Sequence, residues 1–260
     1  MITSVLRKIY DFGTLTEERR DFYQKIIRDA EWDAIQSYVP HGASFLDVGC
    51  GAGYNLVLAK AKSCVVTGVD PTPYKHGVGR VEVSASNPLR IIEASAEKLP
   101  FPDNAFHVVF SSHVLEHIRN KELAFNELER VMERDGVMIL GMPTATMAWI
   151  NLVSQLLFNT HKRFFHIFGA WIKGKVNSRY MPIHLLIPRS HSFKEGTVFQ
   201  DIKTYKIEKW KREISEYFEI SKIVMPALYP YPDFVQLFKL RKSRKFSSSV
   251  FFVCRKKGDQ

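Results

Sequence analysis

The chain has 260 residues, with 37 Lys+Arg against 27 Asp+Glu for a net charge of +10, and 45% of its residues are hydrophobic. That apolar share supports a full core and excludes a disordered, fibrous or low-complexity chain, while the length suits one elaborated domain. Three dispersed cysteines, Cys50, Cys64 and Cys254, argue against a disulfide framework or a cysteine metal site and fit a reducing, cytoplasmic setting.

Charge is distributed unevenly. Residues 1–150 hold 16 Lys+Arg and 19 Asp+Glu, whereas residues 151–260 hold 21 and 8. Such asymmetry predicts a basic face for an anionic partner: nucleic acid, a phosphorylated metabolite or an acidic membrane surface. The opening MITSVLRKIYDFG lacks a sustained apolar run and a small-residue cleavage site, so no secretory signal is expected.

Residues 16–39 have helical spacing and stop before Pro40. Strand-like runs at 44–50, 64–70, 89–95, 107–112 and 136–143 then alternate with helical segments at 54–62 and 120–132 and a helical or irregular piece reaching to about 87. Apolar strands separated by helices predict an α/β, doubly wound, mostly parallel sheet. The alternation lapses after Pro143 and resumes with a helix at 207–218 and strands at 219–225 and 247–256. The chain is therefore read as a single domain: N-terminal helices at 1–40, a ligand-binding core at 41–143, an insertion or lid at 144–206, and sheet-completing elements at 207–260. The uncharged stretch 136–159 contains Gly141, Pro143, Asn151, Ser154 and Gln155 and reads as strand, turn and amphipathic helix rather than a membrane span.

The most specific motif is Asp47-Val48-Gly49-Cys50-Gly51-Ala52-Gly53, where the first strand meets its helix. Glycines at alternate positions allow a sharp turn and close ligand approach at the carboxyl edge of the sheet. A dinucleotide loop spaced G-x-G-x-x-G receives a pyrophosphate, which the leading carboxylate here would repel; an acid suits a cationic or amino-bearing ligand.

Over residues 40–143 the sequence resembles the class I S-adenosylmethionine-dependent methyltransferases, particularly those of ubiquinone and menaquinone biosynthesis. The resemblance rests on the Asp47–Gly53 loop, Asp70 after the second strand, Ala94-Ser95-Ala96-Glu97 with Leu99-Pro100-Phe101, the run from Phe106 to Ile118 ending in Leu115-Glu116-His117-Ile118, and the segments 128–132 and 135–140. It implies a seven-stranded sheet with an antiparallel last strand and S-adenosyl-L-methionine as cofactor, with S-adenosyl-L-homocysteine as product. The implied cofactor contacts are Asp47, Gly49, Cys50, Gly51 and Gly53 for the amino-acid end, Asp70 for the ribose hydroxyls, Pro71 near adenine, Ser95, Ala96 and Glu97 around adenine, and Ser111 and Ser112. Ser95 stands where the family usually has Asp, and Asp135 replaces a common Pro or Gly.

His113 and His117, four residues apart and on one face if that stretch is helical, are the candidate proton acceptors, with His184 and His191 in the insertion as others. From Trp149 to Leu157 the apolar residues Trp149, Ile150, Leu152, Val153, Leu156 and Leu157 are read as one helical face, with Asn151 and Gln155 opposite. Such a helix serves as a packed lid, or as a peripheral contact of 146–172 with the inner face of a membrane. The basic runs, including Lys239 to Lys245, point to an anionic small-molecule or glycan acceptor, and the leading expectation is O-methylation of a sugar, glycan or lipid-linked intermediate. Methylation of an isoprenoid-tailed metabolite, RNA methylation (disfavoured without a recognisable RNA-binding module) and a non-catalytic scaffold stay open. Metal dependence and oligomeric state are not legible.

Overall fold

A computed structural model describes residues 17–73, 78, 89–158, 160–174, 190–192, 196–229 and 246–258. The irregular piece expected up to 87, His184 and the run Lys239 to Lys245 lie outside the described residues or largely so.

Seven strands form one sheet: β1 (Ser44–Val48), β2 (Val65–Asp70), β3 (Arg90–Glu93), β4 (Phe106–Ser112), β5 (Met132–Pro143), β6 (Phe218–Val224) and β7 (Ser249–Lys256), in the order β3-β2-β1-β4-β5-β7-β6. Strands β1 to β5 pair in parallel, and β7 runs antiparallel to both β5 and β6. The central strands are apolar on both faces because helices cover both. Leu46, Val109, Met138, Leu140 and Phe252 belong to one core layer, while Phe45, Phe110, Ile139, Phe251 and Val253 belong to the other. This alternation by one residue is the strand period of two. Phe45, Phe110 and Phe251 stack across the sheet with ring centroids 5.8 and 6.2 Å apart.

The first layer is closed by α3 (Lys121–Val131) and α7 (Ile207–Ser215), the second by α1 (Glu17–Ile35) and α2 (Tyr54–Ala61). Helix α1 contributes Trp32 and Ile35 to the second layer, and its Tyr23 and Ile27 pack on Ala227 and Tyr229 beyond β6. It thus bridges one sheet face to the β6–β7 connection. Strand β5 starts at Met132, four residues before the predicted position, because Met132 pairs with Phe106 ahead of a register shift.

After β5 come α4 (Ala145–Phe158), α5 (Thr160–Ile172) and, later, α6 (Val198–Thr204). Thr144 anchors the exit: its hydroxyl donates to the Ser247 carbonyl at 2.5 Å, and its amide to Ser248 O at 3.1 Å. Helix α4 corrects the expected amphipathic face. Met147, Ala148, Asn151, Leu152 and Ser154 are buried, whereas Trp149, Val153 and Leu156 are exposed. The helix packs against α6 through its smaller and more polar side, so apolar content alone misidentified the inner face.

Gly49, at φ +80°, ends β1; a Cβ there would lie 2.2 Å from Val114 Cγ2. Gly42, at φ +75°, has open space where its Cβ would be. Gly42→Ala is therefore expected to cost about 1–2 kcal/mol from backbone strain alone, and Gly49→Ala roughly 1–3 kcal/mol more from overpacking, in denaturant unfolding. Equal costs would show that Val114 does not constrain the loop.

Candidate active site at the carboxyl edge of the sheet

The β1–α2 loop lies at the switch point where connections from β1 and β4 diverge to opposite faces, the place where α/β sheets form a ligand crevice. Gly49, Gly51 and Gly53 all take positive φ, which keeps the loop tight against the strand ends. Gly49 and Cys50 donate their amides to Val69 O at 2.7 and 3.0 Å. Asp70 Oδ2 accepts from the Gly51 amide at 2.9 Å and its Oδ1 from Thr72 N at 2.8 Å, tying the end of β2 to the loop. Pro71 is exposed beside it. The Cys50 side chain turns into the core between β2 and α2, where burial raises its thiol, so its backbone rather than its sulfur faces the crevice.

Asp47 is 1% exposed, and its Oδ2 has no hydrogen-bond partner among the described residues. Burial pushes its pKa up to about 7; Arg28 and Asn55 oppose that rise and Asp70 adds to it. A buried carboxylate with an orphaned oxygen at a glycine loop is a receptor for a cation or an ammonium.

Behind the loop stands a network that the sequence did not reveal. Arg28 Nη1 donates to Glu31 Oε2 at 2.5 Å, and the Tyr229 hydroxyl donates to Glu31 Oε1 at 2.6 Å. His113 Nε2 lies 3.5 Å from Glu31, and its Nδ1 3.6 Å from Glu116. Burial alone would raise the Glu31 pKa, but Arg28, His113 and Tyr229 hold it well below the carboxylate range. Burial likewise opposes charge on His113, yet Glu116 and Glu31 outweigh it and raise the imidazole above its usual value. His113 thus lies between Glu31 of α1 and Glu116, next to the end of β4. Within one amphipathic helix, Arg28 and Glu31 read as an ordinary surface pair, and Tyr229 carried no motif.

His113 and His117 do not share a helical face. His113 sits at φ +58°, ahead of a short 3-10 turn at Leu115–His117. His113 points inward, whereas the His117 side chain is 42% exposed and meets His191, ring centroids 5.2 Å apart. Asp201 of α6, itself buried, fixes that partner by accepting from Ser190 Oγ at 2.5 Å and His191 N at 2.7 Å. Desolvation, then the neighbouring His117, lowers the His191 pKa. Ligand atoms of Glu116, His117 and His191 all lie within 4.8 Å of one another, a donor set suited either to a borderline divalent ion or to holding a hydroxyl and its proton.

Other predicted contacts have local partners. The Ser95 hydroxyl accepts from Glu97 N at 3.2 Å and donates to Glu97 Oε2 at 3.3 Å, closing the turn that contains the buried Ala96. Arg130 and Glu127 of α3 clamp the following backbone through Leu99 and Phe101. The Ser111 hydroxyl donates to Val48 O at 3.0 Å within the sheet, while Ser112 Oγ lies 3.4 Å from Arg28.

A family profile described as a methyltransferase domain matches residues 46–140. An uncharacterized methyltransferase of Mycobacterium tuberculosis is 30% identical over 143 residues, 52% of this chain and 56% of that one. A sterol 24-C-methyltransferase of Gibberella zeae is 30% identical over 122 residues, 45% of this chain and 32% of that protein. The chain spans about half the length of the curated relatives it matches. A solved structure described as a possible histamine N-methyltransferase from Thermotoga maritima shares the fold, with a TM-score of 0.58 at 16% identity, covering 92% of this chain and 94% of that one. Residues 46–140 thus match a methyltransferase domain, and the strand order is shared with a solved structure of the methyltransferase fold.

Proposed function

We propose that the chain transfers a methyl group from S-adenosyl-L-methionine to a hydroxyl of a sugar or glycan, anionic or lipid-linked, with the His117–His191 pair taking the hydroxyl proton. The juxtaposition of those two rings at the carboxyl edge carries the reading. The cofactor supplies an electrophilic sulfonium methyl, which passes to the acceptor oxygen while sulfur keeps the bonding pair and leaves as a thioether. The orphaned Asp47 oxygen fits the cofactor's ammonium. The backbone of the Gly49–Gly53 loop would lie against the rest of its amino-acid end, and Asp70 would accept from the ribose hydroxyls. Alignment of acceptor oxygen, methyl and sulfur is the main demand, and a neutral imidazole adds roughly 10²–10⁴-fold for a hydroxyl. His191 suits that role because its charged form is disfavoured, and Asp201 accepts from its backbone amide and so positions it. His113, flanked by two carboxylates and raised, serves instead as a fixed positive charge beneath the site.

Two outcomes follow. Below pH 7 Asp47 takes up a proton in the free protein, and the ligand's ammonium needs the carboxylate. Calorimetry is expected to show S-adenosyl-L-homocysteine binding roughly tenfold weaker at pH 6 than at pH 8, and Asp47→Asn should abolish that dependence. A flat profile in the wild type would show that Asp47 is not the receptor.

Transfer of radiolabelled methyl into fractionated glycans and lipids tests the activity. His191→Asn and His117→Asn should each lose roughly 10²–10⁴-fold in kcat while retaining S-adenosyl-L-homocysteine binding. With cofactor saturating at every pH, wild-type kcat should fall only below the ordinary imidazole value, as the lowered His191 takes up a proton. Label confined to RNA, or undiminished transfer by both variants, would contradict the reading.

A further inference from the structure

The α4–α5 hairpin leaves the sheet at Pro143, on the edge that carries Asp47 and His117. Its outer surface is apolar. On α4 the exposed residues Trp149, Val153 and Leu156 follow an i, i+4, i+7 stripe, and on α5 Phe164, Phe168 and Trp171 repeat the same spacing. Trp149 and Trp171 are 52% and 44% exposed. The α5 rings pack on one another: Phe164 stacks on Phe168 at 5.7 Å, and Phe168 meets Trp171 at 5.9 Å. Single exposed apolar residues are ordinary, but a stripe of exposed large apolar residues on each of two consecutive helices points to an interaction surface.

Charge identifies the partner. Between Asp135 and Glu195 the sequence has no acidic residue, while residues 145–194 include seven Lys+Arg, among them Lys162, Arg163 and Lys173 bracketing the aromatic stripe. No described helix is long and apolar enough to cross a membrane. Aromatic side chains on one face, basic residues beside them and insufficient length to span describe a helix pair that lies in a membrane interface.

We propose that the α4–α5 hairpin docks the protein flat on an anionic lipid surface, with Trp149, Phe164, Phe168 and Trp171 in the headgroup region and the neighbouring lysines and arginines on lipid phosphates. The docking orients the carboxyl edge toward molecules anchored in that surface. It deepens the proposed activity by assigning a lipid-linked acceptor, a part that rests on that reading; the docking itself does not.

Flotation of the full chain with vesicles tests it. The protein should float with vesicles of phosphatidylcholine containing about one-third phosphatidylglycerol, remain unbound with phosphatidylcholine alone, and bind less as salt rises. Because Trp32 and Trp210 are buried, a blue shift of tryptophan fluorescence on binding reports Trp149 and Trp171. A Trp149→Ser/Phe168→Ser/Trp171→Ser variant should lose flotation while keeping S-adenosyl-L-homocysteine affinity, which shows that it folds. A Lys162→Gln/Lys173→Gln variant should bind anionic vesicles roughly ten- to thirtyfold more weakly. Absence of flotation, or wild-type flotation by the serine variant, would overturn the proposal. So would a wild-type dimer in sedimentation that the serine variant cannot form, which would give the face to a second copy. Methyl transfer to a water-soluble acceptor without flotation would defeat the docking alone, and flotation without methyl transfer the activity alone.

Discussion

The site is organised around an unneutralised carboxylate. Asp47 is buried at the end of β1 with one oxygen unpartnered and Asp70 close enough to raise its pKa further. A protein tolerates such a group only where its charge is offset or where a ligand completes it. Arg28 supplies a nearby positive charge from α1, and the other oxygen, Oδ2, is buried without a hydrogen-bond partner among the described residues.

That solution reaches far into the fold. Arg28 is itself held by Glu31, Glu31 by Tyr229 beyond β6, and His113 lies between Glu31 and Glu116. One string of alternating charges therefore ties α1, the end of β4 and the β6–β7 connection around the floor of the site. Its consequence for chemistry is a division of labour between two histidines of one motif. His113 lies between two carboxylates that favour its charged form, whereas His117 is exposed and meets His191, whose charged form is disfavoured. Proximity in sequence would have given them the same role.

The sheet was legible because its central strands are buried on both faces and appear as unbroken apolar runs, and because the Asp47–Gly53 loop combines glycine freedom with a carboxylate at a strand end. Strand limits were close, except at β5, whose early start depends on pairing with Phe106 rather than on composition. The faces of α4 were not legible. Periodicity locates apolar residues but does not say which side meets the domain, and here Asn151 and Ser154 turn inward while Trp149 turns out. His191 could be named as a candidate from its position in the insertion, but its meeting with His117 depends on Asp201 and the packing of α6 on α4. Arg28 and Glu31 carried no signal because an i, i+3 ion pair on a helix is usually solvated.

The central claim is that Asp47 receives the amino group of the cofactor, and a ligand that lacks only the amino-acid end tests it directly. Calorimetry would compare S-adenosyl-L-homocysteine with 5′-methylthioadenosine on the wild type and on Asp47→Asn. A charge-assisted contact worth roughly 1.5–3 kcal/mol predicts that the substitution weakens the homocysteine ligand about 10- to 100-fold and leaves methylthioadenosine unchanged. Equal losses for both ligands would contradict the account, because Asp47 would then be supporting the loop rather than binding the ammonium.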